Sequence, residues 1–250
     1  MKNTIIGFIS LTAIALASSM SAYSQDNFEV HGKADFVSNY VWRGFDQNSG
    51  FSVQPSISLG YKGLCLNVWG SESLTDGDGA KEFDLNLSYS YKGLTLTISD
   101  LWWGGKHSSY GYYEGKDNDI NNGHHIEISA AYNFGESLPL TLSWSTWLAG
   151  SDAKDSEGSR CYSTYISASY NINCPLDITL TPAIGFTPWN GYYSQSCSTD
   201  NTCITDISLK ASKAVPITEN FSMPVYVQAI VNPTNNIDNT FITAGFSLGF

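Results

Sequence analysis

The sequence predicts an all-β protein, a transmembrane antiparallel up-and-down β-barrel of about twelve strands. Three observations predict it. Apolar and polar residues alternate with a period of two through most of the chain, the connections between alternating segments are short and long in turn, and the composition is poor in charge but rich in aromatic residues. Charged residues make up 14% of the chain, against the ~25% typical of soluble domains. Such a balance suits a wall that meets lipid on one side.

The first 24 residues read as an export leader. Lys2 supplies the positive end, and Ile5 to Ala17 forms an apolar run, shorter than the ~20 residues of a helical span. Ala22-Tyr23-Ser24 places small residues before a cleavage point at Gln25. The expected organisation is therefore a signal peptide over 1–24 and one barrel over 25–250.

The alternation is clearest in Phe83-Asp84-Leu85-Asn86-Leu87-Ser88-Tyr89-Ser90-Tyr91, where every odd position is apolar or aromatic and every even one polar. A period of two gives a strand one greasy face and one wet face. The pattern recurs near 29–44, 51–61, 64–72, 83–91, 94–104, 123–134, 138–149, 161–172, 176–187, 203–214, 221–231 and 239–250. The tight connections are Lys62-Gly63, Lys92-Gly93, 135–137, 173–175 and 216–220; the others, mostly longer and polar, are 45–50, 73–82, 105–122, 150–160, 188–202 and 232–238. Tyr61-Lys62-Gly63-Leu64 and Tyr91-Lys92-Gly93-Leu94 repeat one hairpin unit at an interval of thirty residues. Aromatic residues gather at both strand ends, as interfacial girdles do.

The first strand, Ala34-Asp35-Phe36-Val37-Ser38-Asn39-Tyr40-Val41-Trp42-Arg43-Gly44, resembles the opening of the TorF-like porin family of small exported barrels. Ser38, Asn39, Tyr40, Trp42, Arg43 and Gly44 stand at matching places, and Phe45-Asp46-Gln47-Asn48 and the second strand also fit. The ending Phe246-Ser247-Leu248-Gly249-Phe250 looks like the C-terminal signature that the barrel-assembly machinery reads in outer-membrane barrels, which makes that machinery an expected partner through Phe250. The resemblance covers about forty residues and the terminal strand. It implies a bacterial outer-membrane location and adds little chemistry.

Residues of the polar parity are expected to face the lumen. They include Lys33, Asp35, Arg43, Asp84, Glu127, Asp177, Asp206 and Lys210, three positive and five negative. A wet lumen with that balance implies passive diffusion of small hydrophilic solutes with a weak preference for cations. The same charges could instead be structural pairs that close a plugged barrel, since buried charges need partners. Asp100 has the parity of Leu94, Leu96 and Ile98. Facing lipid, it would cost roughly 2 kcal/mol or less, so a β-bulge before Leu101 is expected to turn it inward. The longest loop, 105–122, holds His107, Tyr110, Tyr112 and Tyr113 and is the expected constriction loop.

Other chemistry is sparse. A net charge of −11 disfavours nucleic acid as a partner. Cys197 and Cys203 are a disulfide candidate in a polar stretch, and five cysteines leave at least one thiol unpaired. No cofactor or metal is expected. Asp76-Gly77-Asp78-Gly79 and Asp117-Asn118-Asp119 lack the glycine and glutamate of a calcium-binding loop. His31, His107, His124 and His125 form no recognisable Ser/His/Asn arrangement, so an enzyme is not expected. Two other classes remain open: a non-conducting receptor whose loops bind a ligand, and a barrel that hydrolyses lipid on its outer wall.

Overall fold

The computed structural model of the protein describes residues 28–75, 81–104, 123–194, 202–219, 221–234 and 239–249. The expected signal peptide, the loop residues His107, Tyr110, Tyr112 and Tyr113, both acidic loop stretches, Cys197 and Phe250 lie outside the described residues.

The strands in chain order are β1 (Phe28–Val37), β2 (Tyr40–Trp42), β3 (Phe45–Asn48), β4 (Ser52–Tyr61), β5 (Leu64–Ser73), β6 (Lys81–Tyr91), β7 (Leu94–Gly104), β8 (His124–Asn133), β9 (Leu140–Gly150), β10 (Thr164–Tyr170), β11 (Ile172–Cys174), β12 (Ile178–Thr187), β13 (Cys203–Thr218), β14 (Phe221–Val231) and β15 (Thr240–Gly249). β2 and β3 pair only with each other, while all the rest form one antiparallel sheet of sequential neighbours. β10 and β11 flank Asn171 and both pair with β12, so they are two pieces of one strand and the wall has twelve. Phe36 on β1 stands opposite both Val53 on β4 and Phe246 on β15, which closes the sheet on itself and leaves no open edge along that seam.

The faces of the wall are inverted relative to a soluble protein. On β6, Asp84, Asn86 and Ser88 are at most 5% exposed, while Leu87 and Tyr89 on the other face are 45% and 49% exposed. Leu66, Leu96, Ile98, Leu142, Ile207, Leu209 and Val227 continue the exposed apolar face round the wall. Serine, threonine and asparagine fill the inside.

The tight turns follow from local chemistry. Lys62 and Gly63 have φ of 49° and 82°, and Lys92 and Gly93 have 47° and 86°. Two successive left-handed residues make the type I′ turn, whose twist matches that of paired strands. A side chain at Gly63 would bring its Cβ within 2.6 Å of the Ser90 carbonyl oxygen, so only glycine fits there.

Two elements depart from expectation. The first strand leaves the wall at Val37 instead of running on to residue 44. Ser38 seals the exit: its N–H donates to the Ala244 carbonyl at 2.8 Å, and its Oγ accepts from the Ala244 N–H at 3.0 Å. The chain then turns inward as the β2–β3 hairpin. The expected bulge at Asp100 is also absent. β7 pairs in unbroken register, Leu85 with Asp100 and Asp100 with Ile126, which leaves Asp100 on the outer face. His124, on the same face, provides the compensation, with its Nδ1 2.8 Å from Asp100 Oδ1. The irregularity sits one strand further on, between Ile126 and Glu127 in the β8–β9 ladder.

Candidate functional site

The candidate site is the lumen, and the β2–β3 hairpin is its most unusual part. Arg43 and Gly44 form the hairpin tip, with φ of 53° and 84°. This is the same two-residue turn as at Lys62-Gly63 and Lys92-Gly93. Here it points across the barrel. Glu127 on β8, five strands from β1 in one direction and seven in the other, receives it.

Arg43 is buried, and so is Glu127. The guanidinium donates through Nη1 to Glu127 Oε2 at 2.7 Å and through Nη2 to Oε1 at 2.8 Å, a two-armed fork. Nη1 also donates to the Tyr193 hydroxyl. The Trp147 Nε1–H adds a third donor to Glu127, 3.1 Å from Oε2. The guanidinium carbon lies 4.2 Å from the Trp42 ring centre, 4.9 Å from that of Tyr165 and 5.3 Å from that of Tyr193. Cations on aromatic faces and forked bonds to a carboxylate together offset the desolvation of a buried ion pair. Behind the tip, Asn232 Nδ2 donates to the Gly44 carbonyl at 3.1 Å. Gly44 packs so closely on β13 that a Cβ there would stand 1.7 Å from the Thr205 carbonyl oxygen.

Around this pair lies the aromatic core: Tyr40, Trp42, Trp69, Leu101, Trp147, Tyr165 and Tyr193, with Phe45, Trp103 and Tyr192 against it. Tyr192 and Tyr193 come from a short 3-10 turn, Tyr192–Ser194, in the connection after β12. Burial pushes both phenols above their ordinary range, so they are neutral donors and acceptors here. His125 faces inward and packs tilted against Trp103 and Trp147, with ring centres 4.3 Å and 4.4 Å apart. Together these groups form a cluster inside the barrel near the long-connection ends of the strands.

Towards the short turns the inner wall changes to small polar groups. Ser143 and Ser167 hydroxyls bond at 2.6 Å, Ser90 and Thr95 at 2.7 Å, and Asn86 donates to Asn67 at 3.2 Å. Neighbouring strands thus satisfy one another's polar groups without bulk.

The charged residues expected in the lumen fall into distinct places. Arg43 and Glu127 meet within the aromatic cluster. Asp84 is buried on β6, and Asp206 on β13 accepts from the Tyr165 hydroxyl at 3.2 Å. Lys33 donates to Asp35 at 2.8 Å on β1. Lys210, mid-strand on β13, is buried with its Nζ 5.6 Å from the Tyr226 ring centre. Asp177 is not with them. It is exposed in the turn Pro175–Asp177, with φ of 57°, before β12 begins. Glu82, buried two residues before Asp84, belongs to the acidic group and shares its parity, which is the signal that marks it. No parity rule marks Tyr192 and Tyr193, because they reach the lumen from a loop.

Cys203 is disulfide-bonded, whereas Cys65, Cys161 and Cys174 remain thiols. Among the described residues no group of three His, Cys, Asp or Glu side chains could hold a metal ion.

Fold and site together define a closed twelve-stranded antiparallel β-barrel of the transmembrane type, apolar outside and polar inside, with an inner aromatic cluster around the Arg43–Glu127 ion pair. No family model matches the chain, and no curated protein matches it. Among solved structures it is similar to a KdgM porin, at 12% identity and a TM-score of 0.48 over 88% of this chain and 99% of that one. It is also similar to a NanC porin, at 10% identity and a TM-score of 0.46 over 88% and 98%. A likeness at that level assigns no function.

Proposed function

We propose that the protein is a narrow channel of the bacterial outer membrane, through which small hydrophilic solutes diffuse passively with a weak preference for cations. The observation that carries this reading is the inverted wall: a continuous apolar exterior around an interior of hydroxyl, amide and ionic groups. Lipid replaces the missing apolar partner outside, and closure of the sheet satisfies the backbone. Support for cation preference comes from the inward charges among the described residues. Lys33, Arg43 and Lys210 are outnumbered by Asp35, Glu82, Asp84, Glu127 and Asp206. The likeness of the first strand to TorF-like porins is a resemblance of one short string.

Purified protein in planar bilayers should give small, uniform current steps, and a salt gradient should give a reversal potential of cation-selective sign. Folded barrel with no steps at any voltage would replace the channel with the receptor reading. A reversal potential of anion-selective sign would remove the cation preference alone.

A further inference from the structure

The geometry points to the β2–β3 hairpin, fastened by the Arg43–Glu127 pair, as the element that sets which solutes pass. This rests on the channel reading above and adds a specificity-determining residue, Arg43, to it.

Four observations combine. The hairpin contributes nothing to the wall, because β1 has already completed its pairing with β4 and β15 at Val37. All its packing is therefore spent inside the barrel. Its tip is fixed to the far wall by a forked ion pair and to β13 by the close approach of Gly44 to Thr205. The bulky inward side chains gather around it, while the wall nearer the short turns carries small hydroxyls. Finally, the inward faces of β6, β8 and β13 carry four buried carboxylates, Glu82, Asp84, Glu127 and Asp206, and Arg43 brings a positive charge onto one of them, Glu127. It thus narrows the passage and offsets part of its negative charge. Two selectivities follow from one residue, size through the hairpin it anchors and sign through the charge it carries.

The test uses the full processed chain. Arg43→Ala, Glu127→Ala, the double variant, and a barrel in which Tyr40–Asn48 is replaced by a short glycine linker are compared with the parent. Folding is checked by heat-modifiable gel mobility. Step conductance, the largest neutral polymer that enters, and the reversal potential are the readouts. Each single change should raise conductance at least about twofold, since current follows the narrowest section, and should admit larger polymers. The double variant should exceed neither single one, because both release the same fastening. Arg43→Ala should also shift the reversal potential towards stronger cation selectivity, and Glu127→Ala should not. A purely structural pin would leave that contrast unseen.

Folded variants with the parent's conductance, polymer cut-off and reversal potential overturn the inference. Should the point variants fail to fold, the linker variant carrying Glu127→Gln decides by the same readouts, since it leaves neither charge of the pair buried without the other. A silent parent sinks the channel reading; in that case a conducting linker variant upholds the hairpin as the barrier, and a silent one removes it.

Discussion

Three hairpins in this molecule share one four-residue pattern, aromatic, basic, glycine, apolar, and one of them behaves unlike the others. Tyr61-Lys62-Gly63-Leu64 and Tyr91-Lys92-Gly93-Leu94 sit at the short-turn rim, with their lysines exposed and their ammonium groups 5.3 Å and 5.1 Å from the preceding tyrosine rings. Trp42-Arg43-Gly44-Phe45 makes the same left-handed turn inside the barrel, with its arginine buried in a fork on Glu127. The turn itself is a local matter: a basic residue and glycine accept positive φ, and flanking strand formers close the hairpin. Its destination is not local. A lysine on a flexible stem keeps its water at a rim, whereas a planar guanidinium can exchange water for a carboxylate fork and aromatic faces.

The largest effect that would break this comparison is at Gly44. Gly44→Ala combines a left-handed penalty of ~1–2 kcal/mol with overpacking against the Thr205 carbonyl of ~1–3 kcal/mol, a total of about 2–5 kcal/mol. Urea titration of the barrel refolded into lipid vesicles, followed by gel mobility, measures it. Gly135→Ala serves as the reference, since it has a φ of 86° with nothing within 4 Å of its Cβ, and should show the backbone penalty alone. Equal losses at the two sites would mean that the tip does not pack as described.

Arg43→Lys comes next. It keeps the charge but loses one arm of the fork, which should cost about 1.5–3 kcal/mol, the range for a hydrogen bond to a charged group. The reciprocal change, Lys62→Arg, should leave the titration midpoint unmoved. If Arg43→Lys is as silent as Lys62→Arg, the difference between the buried and rim hairpins is not one of guanidinium chemistry.

The smallest effect is expected from Lys62→Ala, which removes an exposed cation from the Tyr61 ring and should cost no more than ~0.5–1 kcal/mol. A larger loss in the same titration would show that the rim turns carry stability that their exposure does not suggest.

Much of the wall was legible along the chain, and the reasons differ from element to element. β6 reads directly because a half-buried strand writes its two faces at alternate positions, so Asp84, Asn86 and Ser88 separate from Leu85, Leu87 and Tyr89 without any knowledge of partners. The Lys62-Gly63 and Lys92-Gly93 turns read directly because positive φ at successive residues is a backbone demand. Asp100 did not read correctly. Parity alone places it outward, where it lies without a bulge; its compensation is His124, a residue on the neighbouring strand that no spacing along β7 reveals. Asp177 misled because a three-residue 3-10 turn delays the start of β12 beyond it.

The sequence by itself determined period, turn chemistry and therefore the class of wall, since those depend on interactions within a few residues of one another. Whether the stretch after Val37 climbs the wall or crosses the lumen depended on Glu127, Thr205 and Asn232, which are 84 to 188 residues away. Alternation in Tyr40-Val41-Trp42 is equally good on the wall and inside the barrel. Only the closed barrel, by bringing a buried carboxylate opposite the tip, gives the arginine a reason to be inside.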